Sequence, residues 1–279
     1  MGSTGIVTEV ERYAIHDGSG IRSTIFLKGC PLRCWWCCNP ETQKFTIEMG
    51  YTAEKCRNCS RCQATADACL YSALSQIGEK RTIASLIEEV SRDISFYDAT
   101  GGGVTISGGE PMSQASFAIE LLKGLKSLYI DTAMESCGAG RIQDYYEALP
   151  YLNTLFLDIK SMNAEKFQKW TEYPLDGLLD NIAQISASAA LAGTNLFFRI
   201  PVIPGFNATE KDMRDIALFI AGLPYINSVE LLPYHKLGRS KYAVLGREYS
   251  LEDLEPPSEE HMEILQQIFL HSGLTVVRF

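Results

Sequence analysis

Three closely spaced cysteines are the residues of this sequence best suited to carry chemistry. Cys30, Cys34 and Cys37 form a C-x3-C-x2-C array directly after the apolar run at 25–27. Thiolates this close on one loop can bind one metal centre, and an iron–sulfur cube is held by cysteine thiolates. Three protein ligands leave one iron of a four-iron cluster without a ligand from the protein. Such an open coordination position allows a metal centre to bind and activate a substrate, as in catalytic zinc sites. We therefore predict an open [4Fe-4S] cluster.

Simpler interpretations of the array are a zinc knuckle, buried thiols or a disulfide. Zinc sites usually pair two C-x2-C knuckles, and the spacings here do not reproduce that pattern. Cys38 follows Cys37 too closely to face the same cluster, so we do not predict it as a ligand.

The array resembles the signature of the radical S-adenosylmethionine (SAM) superfamily. The flanking segments 16–22 (HDGSGIR) and 26–30 (FLKGC) are similar to those of the activating enzymes of glycyl radical enzymes, the pyruvate formate-lyase activase type. The similarity continues through 231–235 (LLPYH) to the C-terminus, with Ser19 where the family usually has proline. The resemblance implies cleavage of SAM to methionine and a 5′-deoxyadenosyl radical, which abstracts a Cα hydrogen from a glycine of a partner glycyl radical enzyme.

The same resemblance implies an oxidoreductase that works anaerobically, as a monomer, with a one-electron donor such as flavodoxin or ferredoxin. The composition agrees with such a protein. The 279 residues are 46% apolar, enough for one barrel-sized core. The formal net charge of −9 argues against a nucleic-acid partner, because such binding depends on clustered Lys and Arg.

Membrane and secretory destinations are not expected. No apolar run approaches the ~18–20 residues that span a bilayer, and the N-terminus lacks the layout of a secretory signal. Nine clustered cysteines without a signal are typical of metal ligands in a reducing compartment. We therefore expect a cytoplasmic protein.

A second cysteine motif lies in the turn-rich segment 44–80. Cys56, Cys59 and Cys62 form C-x2-C-x2-C, and Cys69 follows. This pattern resembles a bacterial ferredoxin half-site, although the last spacing is longer than usual and Leu70 stands where proline normally follows. We predict one auxiliary [4Fe-4S] cluster, with a structural zinc site as the alternative. The segment 44–80 is expected to be an insert in a domain formed by 1–43 and 81–279.

The rest of the chain alternates predicted strands and helices, which indicates right-handed βαβ units and a parallel sheet. The predicted strands are 21–28, 104–107, 129–134, 154–159, 195–202, 228–232 and 274–278. The predicted helices are 83–97 (with Thr82 as N-cap), 113–127, 141–148, 163–170, 177–192, 209–221 and 258–271. Six main repeats predict an α/β fold, an open, partial (β/α)6 TIM-like barrel, and the resemblance implies that this barrel is of the radical SAM type.

Polar motifs follow the carboxyl ends of the six main strands, where β/α barrels place catalytic groups. The motifs are 28–37, 107–111, 135–138, 158–160, 199–205 and 233–235. Gly108 and Gly109 permit close backbone approach. The resemblance implies that they belong to the family's SAM loop, in which Glu110 accepts a hydrogen bond from the SAM amino group.

The resemblance implies further SAM contacts at this rim. Lys160 is expected to pair with the methionyl carboxylate, Arg199 to lie on the SAM side of the pocket, and His235 to contact the ribose or adenine. A solvated lysine and a structural histidine are the simpler alternatives. The expected cofactor-binding set is Trp36, Cys38, Gly108, Gly109, Glu110, Ser136, Asp158, Ile159, Lys160, Arg199 and His235.

The resemblance implies further roles for four residues, two of which also belong to the cofactor-binding set. Glu135, Ser136 and Asp158 resemble the oxygen ligands of a monovalent cation near SAM, although Glu135 replaces the family's usual aspartate. Asp17 resembles an acidic residue that engages the partner's glycyl loop, with a role in turn formation as the alternative.

Two other functions fit part of the pattern. A radical SAM enzyme acting on a small molecule would share the open cluster but not the protein partner. A two-cluster electron-transfer protein would not need polar groups at six strand ends and would not bind SAM. A structural metal scaffold is the least suitable, because its cluster would be closed by four ligands.

Overall fold

A computed structural model describes residues 3–59 and 65–279 of the chain. Its strands are β1 Thr4–Ala14, β2 Arg22–Leu27, β3 Glu48–Tyr51, β4 Leu74–Ile77, β5 Glu79–Thr82, β6 Gly103–Gly108, β7 Asp131–Ser136, β8 Thr154–Asp158, β9 Asn195–Val202 and β10 Ser228–Pro233. Its α-helices are α1 Ile83–Val90, α2 Ile94–Thr100, α3 Ala115–Ser127, α4 Ile142–Ala148, α5 Ala164–Thr171, α6 Leu178–Ala192, α7 Glu210–Ala221, α8 Arg239–Val244 and α9 Glu259–His271.

In this part of the chain the main sheet has the strand order β10-β9-β8-β7-β6-β2-β1-β5. Six strands run parallel to one another, namely β2, β6, β7, β8, β9 and β10. The strand β1 pairs antiparallel with β2, and β5 pairs antiparallel with β1. The sheet is open, with β5 and β10 at its edges. The predicted α/β fold with six parallel strands is therefore confirmed.

The helices cover the sheet because their apolar residues recur at helical spacing. In α3, for example, Phe117, Leu121 and Leu125 are buried on one face. They belong to the same hydrophobic core as strand residues such as Ile25 and Leu27 of β2, which are inaccessible to solvent. Each such side chain contributes about 1.5–3 kcal/mol through burial. This core fixes the strands and therefore the position of the loops that follow them.

Thr82 caps α1 as predicted, its hydroxyl accepting a hydrogen bond from the Ser85 amide at 3.1 Å. The prediction of a single helix over 83–97 is wrong, because a 3₁₀ turn at Ser91–Asp93 separates α1 from α2. At this turn the buried Asp93 carboxylate accepts hydrogen bonds from Arg12 of β1, at 2.6 Å from Nε. The turn therefore faces β1.

The predicted last strand, 274–278, is also wrong. Only Val276 forms a bridge, to Val229 at the start of β10. The chain then turns into the barrel, where the Phe279 amide donates to Glu230 at 3.0 Å. The Phe279 ring packs edge-on against Phe156, with centroids 5.1 Å apart. These contacts hold the end of the chain against the sheet.

The segment 44–80 contains the antiparallel strands β3 and β4, which form a separate two-stranded sheet. The strand β5 begins at Glu79 and joins the main sheet through β1. Across residues 3–59 and 65–279, no helix is both long and apolar enough to cross a membrane.

Candidate SAM and iron–sulfur site

The cysteine loop after β2 is fastened to its neighbours through its backbone. The Gly29 amide donates to the Thr42 carbonyl at 2.6 Å, and the Arg33 amide donates to Thr171 at the end of α5 at 2.7 Å. The Trp35 amide donates to the Trp170 carbonyl at 3.1 Å. These bonds hold the loop from both sides and fix where its thiols lie.

Aromatic rings reinforce the same attachment. Trp35 stacks on Trp170 with centroids 4.9 Å apart, and Trp36 packs on Phe206 at 4.7 Å. Trp170 and Phe206 are themselves 5.3 Å apart. The four rings form one stack (the aromatic stack: Trp35, Trp36, Trp170 and Phe206) beside the cysteine loop.

A cavity of about 260 Å³ opens at the carboxyl ends of the parallel strands. Most of the residues predicted for the site line it. These are Cys30, Cys34, Trp36, Cys37, Cys38, Gly108, Gly109, Glu135, Ser136, Asp158, Lys160, Arg199 and His235. The structure therefore gathers one polar motif from each parallel strand around a single space.

Gly108 shows why the loop after β6 requires glycine. Its φ is +117°, and a Cβ at this position would lie 2.2 Å from the Leu27 carbonyl oxygen. The Gly109 amide donates to that same carbonyl at 2.9 Å. The glycine loop therefore lies directly against the end of β2, next to the cysteines.

Lys160 is nearly buried and donates a short hydrogen bond to Asp158. Burial opposes its charge, but the attraction of the Asp158 carboxylate outweighs burial, so the pKa of Lys160 is raised. The ammonium thus stays charged at the cavity wall, where it can pair with an anionic group.

Arg199 crosses the interior of the barrel between two carboxylates. It donates to Glu230 at 2.8 Å and pairs closely with Glu135. Its third contact is the His16 carbonyl at 2.9 Å, and its guanidinium lies 4.0 Å from the centre of the Phe156 ring. Arg199 therefore joins β7, β9 and β10 to the loop that carries Asp17.

Glu110 lies beneath the cavity and does not line it. It is inaccessible to solvent, and burial raises the pKa of its carboxyl group. Its oxygens accept hydrogen bonds from the Ser136 hydroxyl at 2.9 Å, the Cys137 amide at 2.7 Å and the Met112 amide at 3.0 Å. It thus ties the glycine loop to the motif after β7, and contact with SAM remains a prediction.

The three cysteine thiols suit a metal cluster by their surroundings. Burial raises the pKa of Cys34 to about 12 and raises that of Cys37 well above its ordinary value, whereas a hydrogen bond with the Cys137 thiol lowers the pKa of Cys30. A buried thiolate needs a compensating positive charge, and metal binding supplies it while releasing the proton. Three cavity-lining thiols on one loop are a donor set that fits an iron–sulfur cluster.

The possible cation ligands have protein partners. Glu135 pairs with Arg199 and accepts from the Ser107 hydroxyl at 2.6 Å, and Asp158 pairs with Lys160. Over the described ranges, no three His, Cys, Asp or Glu side chains lie close enough to hold a single ion. A four-iron cube is larger than one ion and spaces its thiolates further apart. The cation site remains a prediction.

Two other predicted residues lie outside the cavity lining. The Asp17 carboxylate accepts from the Thr24 hydroxyl at 2.5 Å, which turns it toward the barrel interior. Ile159, between the two cavity residues of its motif, is buried in the core. Ser19, at the unusual position of its motif, donates to the Gly101 carbonyl at 3.1 Å, a bond that proline would not make.

The described cysteines of the second motif, Cys56, Cys59 and Cys69, do not line the cavity. Cys59 is exposed, Cys56 and Cys69 are close enough for their charges to interact, and Cys62 lies outside the described residues. A hydrogen bond from Tyr51 lowers the pKa of Cys56, and backbone amides lower that of Cys69. Both shifts favour the thiolate, the form that binds metal.

Sequence reasoning missed three residues that support the site. Glu230 orients Arg199, and Tyr145 shares a 2.7 Å hydrogen bond with Ser136. Asn207 is buried and donates to the carbonyls of Lys160 and Pro201, both at 2.7 Å. Asn207 closely follows Pro204-Gly205, and this turn sequence is the one local feature that could have indicated that Asn207 organises the loop.

Comparison with known proteins agrees with this geometry. The family model described as a 4Fe-4S single cluster domain matches residues 16–142. The chain is 38% identical to the isethionate sulfite-lyase activating enzyme of Oleidesulfovibrio alaskensis, over 88% of each chain. It is 33% identical to the trans-4-hydroxy-L-proline dehydratase activating enzyme of Clostridioides difficile, over 95% of each chain.

Solved structures give the same result. A domain of the pyruvate-formate lyase-activating enzyme from Bacteroides vulgatus matches with 30% identity and a TM-score of 0.53, over 63% of this chain and 98% of that one. A radical SAM methyltransferase from Sphaerobacter thermophilus shares the fold alone, with 14% identity and a TM-score of 0.60 over 97% of this chain and 76% of that one. The chain belongs to the family of radical SAM activating enzymes that act on glycyl radical enzymes.

Proposed function

We propose that this chain cleaves SAM reductively at a [4Fe-4S] cluster held by Cys30, Cys34 and Cys37, and that the product radical takes a Cα hydrogen from a glycine of a partner enzyme. The observation that supports this most is the single cavity that the three thiols share with Lys160 and His235. When bound, the cluster supplies the electron that breaks a C–S bond of SAM to give methionine and the 5′-deoxyadenosyl radical.

The residues of the chain then have binding and orienting roles. Lys160, held charged by Asp158, pairs with the methionyl carboxylate. The glycine loop lets the backbone approach SAM closely, and His235 lies at the nucleoside end. The cavity walls exclude water from the reacting atoms, which protects a reactive intermediate from side reactions.

We further propose an auxiliary [4Fe-4S] cluster in the insert, with Cys56, Cys59, Cys62 and Cys69 as its ligands. The lowered thiol pKa values of Cys56 and Cys69 support it. The single motif in the insert, together with the names of the relatives above, favours a partner among C–S or C–N lyases, dehydratases or decarboxylases. Asp17 is proposed to engage the glycyl loop of that partner.

The test is the variant Cys34→Ala, prepared and reduced with dithionite without oxygen. We expect it to lose SAM cleavage while the barrel stays folded, because the cluster loses one of its three ligands. The control is Ser127→Ala, an exposed residue at the end of α3 that does not line the cavity, and this variant should still release 5′-deoxyadenosine.

Full 5′-deoxyadenosine yield from Cys34→Ala would refute the cluster assignment. A glycyl doublet in the EPR spectrum, after mixing the wild type with a glycyl radical enzyme from the same genome, tests the partner. SAM cleavage without that doublet for any such enzyme would favour a small-molecule substrate instead.

A further inference from the structure

The segment 235–247, which we call the strap, follows β10 and crosses beside the cysteine loop. It begins at His235 in the cavity lining, passes Gly238, and contains α8. The apolar periodicity of the sequence did not predict α8. Contacts with distant residues therefore decide where the strap lies.

Gly238 lies directly on the backbone of the cysteine loop. A Cβ at this position would lie 2.6 Å from the Cys38 Cα and 3.0 Å from the Cys37 carbonyl oxygen. These are backbone atoms, which cannot rotate away as a flexible side chain can. The φ of Gly238 is −73°, an ordinary value for any residue. Close approach, and not backbone freedom, is therefore what requires glycine here.

Two cations of the strap fasten it to the segment after the last cysteine. Lys241 donates to Asn39 at 2.8 Å and to Glu41 at 2.5 Å. Arg247 donates to the Pro40 carbonyl at 2.7 Å. The strap thus holds three successive residues beyond Cys38.

The same junction reaches the end of β2 and the insert. Arg247 also donates to Glu48, the first residue of β3, at 2.6 Å. Glu48 accepts a second bond, at 2.8 Å, from the fully buried Lys28, which also donates to the Glu41 carbonyl at 2.5 Å. Ion pairs that are this buried fix geometry, because breaking one leaves an uncompensated charge.

We propose that Gly238 is a positioning residue. Through it the strap sets the backbone of Cys37 and Cys38 in the wall of the SAM pocket, and His235, three residues earlier on the same strap, lines the same pocket. The cysteine loop and His235 are thereby held at one spacing. This inference rests on the proposed function, in which Cys37 is a cluster ligand and the pocket binds SAM.

The test is Gly238→Ala, with Gly222→Ala as the matched control. Gly222 has a φ of −85°, and a Cβ there would meet its nearest atom at an ordinary 3.5 Å. We expect Gly238→Ala to weaken SAM binding by calorimetry roughly tenfold or more, as changes to supporting residues of metal sites do. The thermal midpoint should fall, because the added methyl cannot fit without a shift of the backbone, whereas the iron content should stay near that of the wild type.

A second measurement needs neither the cluster nor SAM. In cluster-free protein, hydrogen exchange at the amides of residues 37–43 should be faster in Gly238→Ala than in the wild type and in Gly222→Ala, because the added methyl displaces the strap. Unchanged SAM affinity together with unchanged exchange would overturn the proposal.

If Gly238→Ala does not fold, the variant Lys241→Met provides the test. It removes the bonds from Lys241 to Asn39 and Glu41 without adding a clash. We expect weaker SAM binding and faster exchange over 37–43, and wild-type values for both would overturn the proposal. If the wild type itself binds no SAM, the proposed function fails, and the exchange comparison still tests the strap.

Discussion

Arg199 places one positive charge between two buried carboxylates, those of Glu135 and Glu230. Removing one partner of a buried pair costs about 3–5 kcal/mol, because the other charge is left without compensation. The carbonyl of His16 accepts a third bond from the same guanidinium. The charge that faces the SAM pocket therefore also anchors the loop bearing Asp17, which couples the two proposed binding sites.

His235 gives a prediction for the pH dependence of SAM binding. Partial burial lowers its pKa, so the ring is neutral around pH 7. We expect the SAM dissociation constant of the reconstituted protein to be constant above the ordinary histidine pKa of about 6.5 and to rise only as the pH falls further below it. Calorimetry across this range measures it.

The variant His235→Gln is the control, because it retains hydrogen-bonding groups but does not titrate. Its SAM affinity should show no such change on acidification. If the variant and the wild type had equal pH profiles, a contact between His235 and the adenosine part of SAM would be excluded.

Local sequence indicated which residues belong at the rim, but not how they pair. The motif after each strand is visible because residue type changes abruptly where a strand ends. The contact of Arg199 with Glu230 joins residues that are 31 positions apart, and the inward turn of Glu110 depends on the fold of the loop at 136–138. Such pairings follow from the tertiary structure, so residue types alone do not determine them.

At the scale of elements, Asp93 links the turn between α1 and α2 to β1. A hydrogen bond from Arg12 lowers the pKa of Asp93. A carboxylate with a lowered folded pKa stabilises the protein above its unfolded pKa of about 3.9, and this contribution is lost as the pH falls through the folded value.

We therefore expect Asp93→Asn to reduce the free energy of unfolding of cluster-free protein by about 1–2 kcal/mol at pH 7, since the pair is charged but Arg12 is about one-third exposed. The difference from the wild type should shrink on acidification toward pH 3. Urea titrations measure it, with Asp98→Asn on the exposed face of α2 as the control. A difference that is constant with pH would contradict the ionic role.

Strands and helices with a strong period were predicted close to their observed bounds, and β9 was predicted without error. The misses share a physical cause. The strand β1 alternates poorly because charged Glu9, Glu11 and Arg12 lie on an antiparallel extension of the sheet. The helix α8 has only six residues and is stabilised by distant ion pairs. In both cases the element depends on contacts with distant residues, and the local sequence pattern does not indicate it.

At the scale of the whole molecule, the barrel and the insert are each proposed to hold a cluster. Anaerobically reconstituted wild type should then contain about eight irons per chain, and a variant with Cys30, Cys34 and Cys37 changed to Ala should retain about four. Iron and sulfide analysis measures both. A total near four in the wild type would remove the auxiliary cluster.

The aromatic stack has a practical consequence, because it contains every tryptophan of the sequence. All indole fluorescence of the protein therefore originates within one small region, next to the cysteine loop. Iron–sulfur clusters absorb light broadly and quench nearby emitters. The chain thus carries its own optical reporter of cofactor loading, readable without any added label.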